Sequence, residues 1–462
     1  MKREVEMFGF PIIKSFIIHN NYFYYDYVSN YIYKITKEQY AEIQILNKVG
    51  FDSYLKLKRN TIEYNDVIRL IRAHKINGMV IETLDHQFTD ECLDIAGRCI
   101  SKLQLQVTRN CNFNCRYCTY TRQSHIGRIH EGINMNWNIA RSAIDFLFEH
   151  STDVNEVFVN FYGGEPFLNF SVIKSATEYA KNKFLFKKVN FAAITNCSIM
   201  SQQIIDFLIE NDFVLIISFD GDIEVQNRHR KFLNDNSDTY AIVYRNIQNL
   251  RKTSHDYFDR NVKFNAVKFL DENSQKIYDY FYKEFGKQHE MVNIINADMQ
   301  GVDYNYSIYN LVHEVKNKMI IYDKEDQALE NFKTIYSDKR YVKNNWVYRA
   351  NCIPGSQHLL VNVFGDFYPC EKVPEIEITK VGDIKRGFDF NRVQKMLNIH
   401  AFACEDCKKC WAIRYCKMCI CHCIDPITQN ISINAIRKNC RDTKNETLDM
   451  FKKIIEGDAT NE

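Results

Sequence analysis

The chain has 462 residues, more than the roughly 250–300 at which one hydrophobic core stops growing, so two or three domains are expected. Hydrophobic residues make up 45% with only six prolines, which excludes a disordered chain. Lys and Arg total 60 against 58 for Asp and Glu, a net charge of +2, so the balance calls for neither nucleic acid nor an anionic membrane as partner.

No stretch approaches the roughly 20 apolar residues of a membrane helix. The apolar run from Phe8 to Ile18 is broken by Pro11 and Lys14 and has no cleavage pattern, so a cytoplasmic protein is expected. Sixteen cysteines in such a chain argue for metal rather than disulfides.

Residues 12–19, 22–27 and 31–35 read as three short strands, the last two joined by a turn at Ser29 and Asn30. Thr36-Lys37-Glu38-Gln39 is a capping box that opens a helix through about residue 46. A second helix begins near Asn65, with Val67, Ile68, Leu70 and Ile71 on its apolar face, and residues 76–82 return as a strand. Residues 86–100 read as a connecting helix.

From Leu103 strands and helices alternate. Candidate strands are 103–108, 156–162, 189–195, 213–219, 261–269 and 291–298. The helical patterns between them are 137–149, 171–183, 202–210, 240–251 and 275–285. This (β/α)6 succession calls for a parallel sheet with right-handed crossovers. Helical patterns at 311–322 and 325–336 follow as a bridging region, 301–351.

The first strand runs into Cys111, Cys115 and Cys118, spaced C-x3-C-x2-C. Three thiolates from one loop suit three irons of a [4Fe–4S] cluster and leave the fourth open to a small molecule. A zinc site is the competing reading, although structural zinc usually closes with four ligands. With Tyr117 before the third cysteine, the loop resembles that of the radical S-adenosylmethionine (SAM) enzymes. The resemblance implies a partial (β/α)6 barrel at 101–300, SAM chelated by the open iron, and its cleavage to methionine and a 5′-deoxyadenosyl radical.

Other strand ends extend the resemblance. Gly163-Gly164-Glu165-Pro166 matches the family's GGEP motif, implying that Gly163, Gly164 and Glu165 hold the methionine amino group of SAM. Ser218-Phe219-Asp220-Gly221, with Arg230 downstream, resembles the contacts to ribose and carboxylate; Arg228 is the alternative arginine. Asp220 could equally cap the following helix. At Thr195-Asn196-Cys197 the family often has Gly in place of Cys197.

Nine cysteines fall between Cys352 and Cys423, with Cys440 beyond. This stretch, 352–445, resembles the SPASM extension, which holds two auxiliary [4Fe–4S] clusters. By resemblance Cys407, Cys410, Cys416 and Cys440 hold the outer one, and Cys352, Cys370 and Cys419 the inner one. Cys421 is the alternative to Cys419, and a fourth inner ligand is open. A pair of zinc ribbons is the rival reading. Residues 446–462 are expected as a tail.

Residues 1–85 resemble in order and size the winged-helix element that binds leader peptides in maturases of ribosomally made, post-translationally modified peptides (RiPPs). A leader would add a strand to a sheet edge there. The whole resembles a RiPP maturase that forms a thioether or other cross-link in a precursor peptide, with electrons from a flavodoxin- or ferredoxin-type donor. The alternatives are a sulfatase-maturing enzyme that makes formylglycine and a non-catalytic iron–sulfur protein.

Overall fold

The computed structural model describes residues 12–27, 31–73, 89–118, 120, 130–269, 273–287, 291–295, 321–322, 352–356, 358–402, 405–416, 418–425 and 427–458. The expected turn at 29–30, strand at 76–82 and helix at 325–336 lie outside these residues.

The N-terminal meander is antiparallel: β1 (Ile13–Ile18), β2 (Asn21–Asp26) and β3 (Tyr31–Ile35). Helix α1 (Lys37–Lys56) starts at the expected capping box, where Thr36 Oγ1 accepts from Gln39 N–H and the Gln39 side chain accepts from Thr36 N–H. It runs past residue 46 because Gly50, at φ 77°, lets a second helical segment follow across a kink. Helix α2 (Ile62–Ala73) packs beside it.

One sheet face, with Ile13, Tyr24 and Tyr33, packs on Leu46, Phe51, Tyr54 and Val67. The other face carries Phe16, Phe23 and Tyr25, which belong to the main core. The N-terminal module is therefore built into the molecule rather than set apart, because its sheet is apolar on both faces.

Helix α3 (Thr89–Arg98) leads into the barrel. Its strands are β4 (Lys102–Thr108), β5 (Glu156–Gly163), β6 (Lys188–Thr195), β7 (Val214–Ser218), β8 (Val262–Phe269) and β9 (Met291–Ile295), each parallel to the next. The intervening helices are α4 (Trp137–Glu149), α5 (Phe170–Lys183), α6 (Gln202–Glu210), α7 (Ile223–His229), α8 (Tyr240–Thr253), α9 (His255–Asn261) and α10 (Ser274–Phe285). Helices α7 and α9 were not expected: at seven residues each, they are too short for a periodic pattern.

Ile321–Tyr322, expected as the end of a helix, is instead a short strand, β10, parallel to β3. After the bridging region β11 (Leu359–Val361) adds in parallel to the outer side of β4. The antiparallel strands β12 (Asp366–Tyr368), β13 (Gly382–Asp383) and β14 (Gly387–Phe388) follow, giving a ten-stranded sheet. The fold is thus mixed α/β around a parallel sheet, and the β4 edge is covered by the C-terminal region.

Helix α11 (Phe390–Leu397) precedes the cysteine-rich turns, and helix α12 (Ile433–Asp458) closes the chain. The expected tail is mostly the second half of α12, where Met450, Phe451 and Ile454 are buried. The Phe451 ring meets Phe16 at 5.8 Å and Tyr25 at 4.8 Å, tying the last helix to the first sheet. No helix among the described residues is long and apolar enough to cross a membrane.

Candidate functional site

All six barrel strands point the same way, so the ends of β4 to β7 gather the predicted residues at one mouth. The loop with Cys111, Cys115 and Cys118 leaves β4 and is laced to two neighbouring segments. Asn196 Nδ2, after β6, donates to Asn112 Oδ1 at 2.9 Å, and Asn112 Nδ2 donates to Ser198 Oγ at 2.8 Å. Asn114 N–H and Arg116 N–H donate to the carbonyls of Lys231 and His229 at 2.8 and 2.9 Å. A loop held at this many points presents its thiols with little freedom to lose.

The glycines at the end of β5 have a role that the sequence did not reveal. Gly164 N–H donates to Thr108 O at 3.0 Å and Glu165 N–H to Asn110 O at 2.7 Å. A Cβ on Gly163 would lie 2.2 Å from Thr108 O, and one on Gly164 2.1 Å from Asn110 O. The two glycines are the seat on which the cysteine loop rests, backbone against backbone.

Glu165 is fully buried. Its carboxylate accepts from Phe167 N–H at 3.2 Å, Thr195 Oγ1 at 2.8 Å and Asn196 N–H at 2.7 Å. Burial raises its pKa to about 7, and these three donors oppose the rise. Cys197, where the family often has glycine, sits at φ 59°. Its left-handed backbone explains why glycine suits the position.

Ser218 ends β7 in register with Asn265. Asp220 does not cap α7; Asp222 does, accepting from Glu224 and Val225 N–H. Asp220 instead receives Arg230 Nε and Nη2 at 2.8 and 3.0 Å, Tyr117 Oη at 2.6 Å and Val267 N–H at 2.9 Å. Arg230 is buried and Arg228 exposed, so Arg230 is the arginine at the site. Its guanidinium lies 5.3 Å from the Tyr117 ring centroid and reaches the Cys115 sulfur. Two of its donors are already held by Asp220, which leaves part of the fork for a carboxylate.

The thiols are placed as soft-metal ligands. Burial raises the Cys111 pKa well above normal, with Cys115 and Cys118 adding to the rise, and burial pushes Cys115 up to about 12. Buried thiols such as those of Cys111 and Cys115 become thiolates readily only against a cation. Three thiols from one loop suit three irons of a multi-iron cube. The donor set fits the group.

The C-terminal cysteines form two groups. Cys407, Cys410, Cys416 and Cys440 line one cavity with His400, whose Nε2 is 3.3 Å from Cys416 Sγ. His400 was not a sequence candidate; burial lowers its pKa to about 4. In the second group, Cys370 lies in the field of both Cys419 and Cys352, and Cys421 in the field of Cys419 and Cys370. The Cys421 thiol donates to Cys419, which lowers the Cys419 pKa to about 7. Cys423 donates to Cys419 O at 3.3 Å and lies in the field of Cys419, Cys416 and Cys440. Cys404 lies outside the described residues.

Parallel strands with a three-cysteine loop at their C-terminal mouth define an α/β iron–sulfur enzyme. Residues 105–281 match the radical SAM superfamily, and the chain carries the radical SAM domain of that family, which works with a [4Fe–4S] cluster and SAM. Over 245 residues it is 26% identical to the radical SAM cyclopropyl synthase TigE of Paramaledivibacter caminithermalis, covering 51% of this chain and 48% of that protein. The chain thus spans about half the length of that relative. Over 336 residues it is 23% identical to the cysteine-type anaerobic sulfatase-maturating enzyme of Clostridium perfringens (strain ATCC 13124), covering 69% of this chain and 88% of that enzyme. The solved structure of native anSMEcpe with bound AdoMet shares the fold at a TM-score of 0.50 and 20% identity, over 77% of this chain and 98% of that one.

Proposed function

We propose that the protein is a radical SAM maturase that oxidatively cross-links a ribosomally made precursor peptide. The observation that carries the reading is the cysteine loop seated on Gly163 and Gly164 beside Glu165, Ser218 and the Arg230–Asp220 pair, with two further cysteine groups in the same chain.

Cys111, Cys115 and Cys118 would hold the first cluster. When bound, cluster and SAM supply a carbon radical that takes a hydrogen atom from substrate. Gly163, Gly164 and Glu165 would take the amino end of SAM, Arg230 its carboxylate, and Ser218 its ribose. Tyr117, through Asp220, would fix the Arg230 fork.

Cys407, Cys410, Cys416 and Cys440 would hold an outer auxiliary cluster. Cys352, Cys370 and Cys419 would hold an inner one with Cys421 as its fourth ligand. Its place in the field of Cys419 and Cys370 supports Cys421 in that role. A cluster closed by four thiolates carries electrons and does not bind a substrate thiolate. An electron donor of flavodoxin or ferredoxin type and a leader-bearing peptide are the partners this chemistry requires.

The leader would bind the N-terminal module. In the structure β3 is flanked by β10 on one side, and β1 is the other sheet edge. The C-terminal packing of Tyr25 and Phe16 leaves a deletion of the module unsuited to testing leader binding.

The test is incubation of reduced protein with SAM and the peptide encoded beside it. Loss of two hydrogens from the peptide supports the reading; ample SAM cleavage with unchanged peptide opposes it. A second reading, formylglycine formation, is favoured by the match across most of the sulfatase-maturating enzyme. Conversion of a Cys- or Ser-containing sulfatase peptide to an aldehyde would select it.

A further inference from the structure

Arg109 lies between β4 and Cys111, and Glu375 lies five residues beyond Cys370, a link between two segments far apart in sequence. Arg109 Nη2 donates to Glu375 Oε2 at 2.8 Å; the Glu375 side chain is fully buried and that of Arg109 is 9% exposed. The carboxylate also accepts from Gln106 Nε2 at 2.5 Å and Asn362 Nδ2 at 3.5 Å. The second Arg109 arm donates to Glu131 at 3.2 Å, and its guanidinium lies 4.8 Å from the Phe364 ring centroid.

On the other side, the Arg109 carbonyl accepts from His130 Nδ1 at 3.1 Å, and His130 Nε2 stands 3.6 Å from Cys118 Sγ. A continuous polar chain therefore runs from a cysteine of the first loop to the Cys370 turn. Burying a charge pair gains little stability over apolar packing, whereas removing one partner leaves a dry, uncompensated charge. Such a pair fixes register between the elements it joins.

We propose that Arg109 and Glu375 are positioning residues: a strut that holds the first cysteine loop against the Cys370 turn and balances the charge beside the iron–sulfur group there. This rests on reading Cys111, Cys115 and Cys118 as iron ligands. Gln106, through its bonds to Glu375 and to Tyr120 Oη at 3.1 Å, braces the strut from inside the barrel.

The test uses full-length, anaerobically reconstituted E375Q, R109Q/E375Q and wild-type protein, read by iron per chain and by the midpoint potential of the SAM-responsive paramagnetic signal. In E375Q Arg109 stays charged and keeps the half-exposed Glu131 but loses its buried counter-charge, so full iron with a midpoint shifted to more positive potential is expected. In R109Q/E375Q the midpoint should move back toward wild type. An unshifted midpoint in E375Q with full iron overturns the proposal, as does a shift that the double variant retains. If E375Q does not fold, a folded, iron-loaded double variant supports the pair, and failure of both overturns the tuning role. Absence of iron in the wild-type protein would instead sink the functional reading itself.

Discussion

Substituting Gly164 by alanine puts a methyl group 2.1 Å from Asn110 O, 2.5 Å from Asn110 C and 3.0 Å from Cys111 Cβ. Ordinary contacts between carbon and carbonyl oxygen begin near ~3.3 Å, so the loop has to retreat by more than ~1 Å. Metal ligands tolerate roughly 0.2 Å. The retreat strains two backbone hydrogen bonds, Gly164 N–H to Thr108 O and Glu165 N–H to Asn110 O, at about 1 kcal/mol each. Overpacking adds about 1–3 kcal/mol.

The cost therefore falls on the first cysteine loop, at about 3–5 kcal/mol in all. G164A should lose the SAM-responsive signal and the iron of the first site while keeping the auxiliary iron. Gly132, where a Cβ would meet nothing within 4 Å, supplies the control. Iron counting and paramagnetic resonance with and without SAM make the comparison. G164A protein with wild-type iron and an unaltered SAM response would refute the seat.

Four further outcomes follow. Burial holds the Glu165 pKa at about 7 against an ordinary 4.5, so the folded metal-free chain binds this proton more tightly than the unfolded one. That stabilisation is full below pH ~4.5 and is lost as pH rises through ~7, about 3 kcal/mol in total. Urea unfolding should show E165Q lacking this part of the pH slope; parallel profiles would contradict it. C421S should lose iron from the inner group while C423S keeps it, measured by iron content; equal retention in both removes Cys421 from the ligand set. F451A should cost about 3–5 kcal/mol and release outer-site iron, because Phe451 packs at 6.2 Å on Trp411 and 5.7 Å on Tyr415, between outer-group cysteines. D220N should weaken SAM binding, by freeing the Arg230 fork, and cost about 3–5 kcal/mol, as half of a buried pair is lost; unchanged SAM affinity by calorimetry would count against the fork's role.

Much of the barrel was legible because its signals are local. Asn136, Ser201 and Asn273 cap α4, α6 and α10, and their apolar periodicity marks the rest. The GGEP and cysteine motifs placed their residues at the correct strand ends. What escaped depends on neighbours remote in sequence. That Gly164 abuts Asn110 follows from β5 lying beside β4. Strand β11 has three residues and acquires its identity only by pairing with β4. The tyrosines of β2 lie on both faces, and no pattern within Asn21–Asp26 says that Phe451 covers one of them. Glu375 and Arg109 are two ordinary charged residues until the fold joins them.

The account depends on Cys111, Cys115 and Cys118 holding a cluster with one iron open to SAM. The most direct measurement is paramagnetic resonance of the anaerobically reconstituted, reduced protein, titrated with SAM. A signal whose g-values change with SAM, and which C111A, C115A and C118A each abolish, is the predicted result. A spectrum indifferent to SAM, or a SAM-responsive signal that survives loss of all three cysteines, would contradict it.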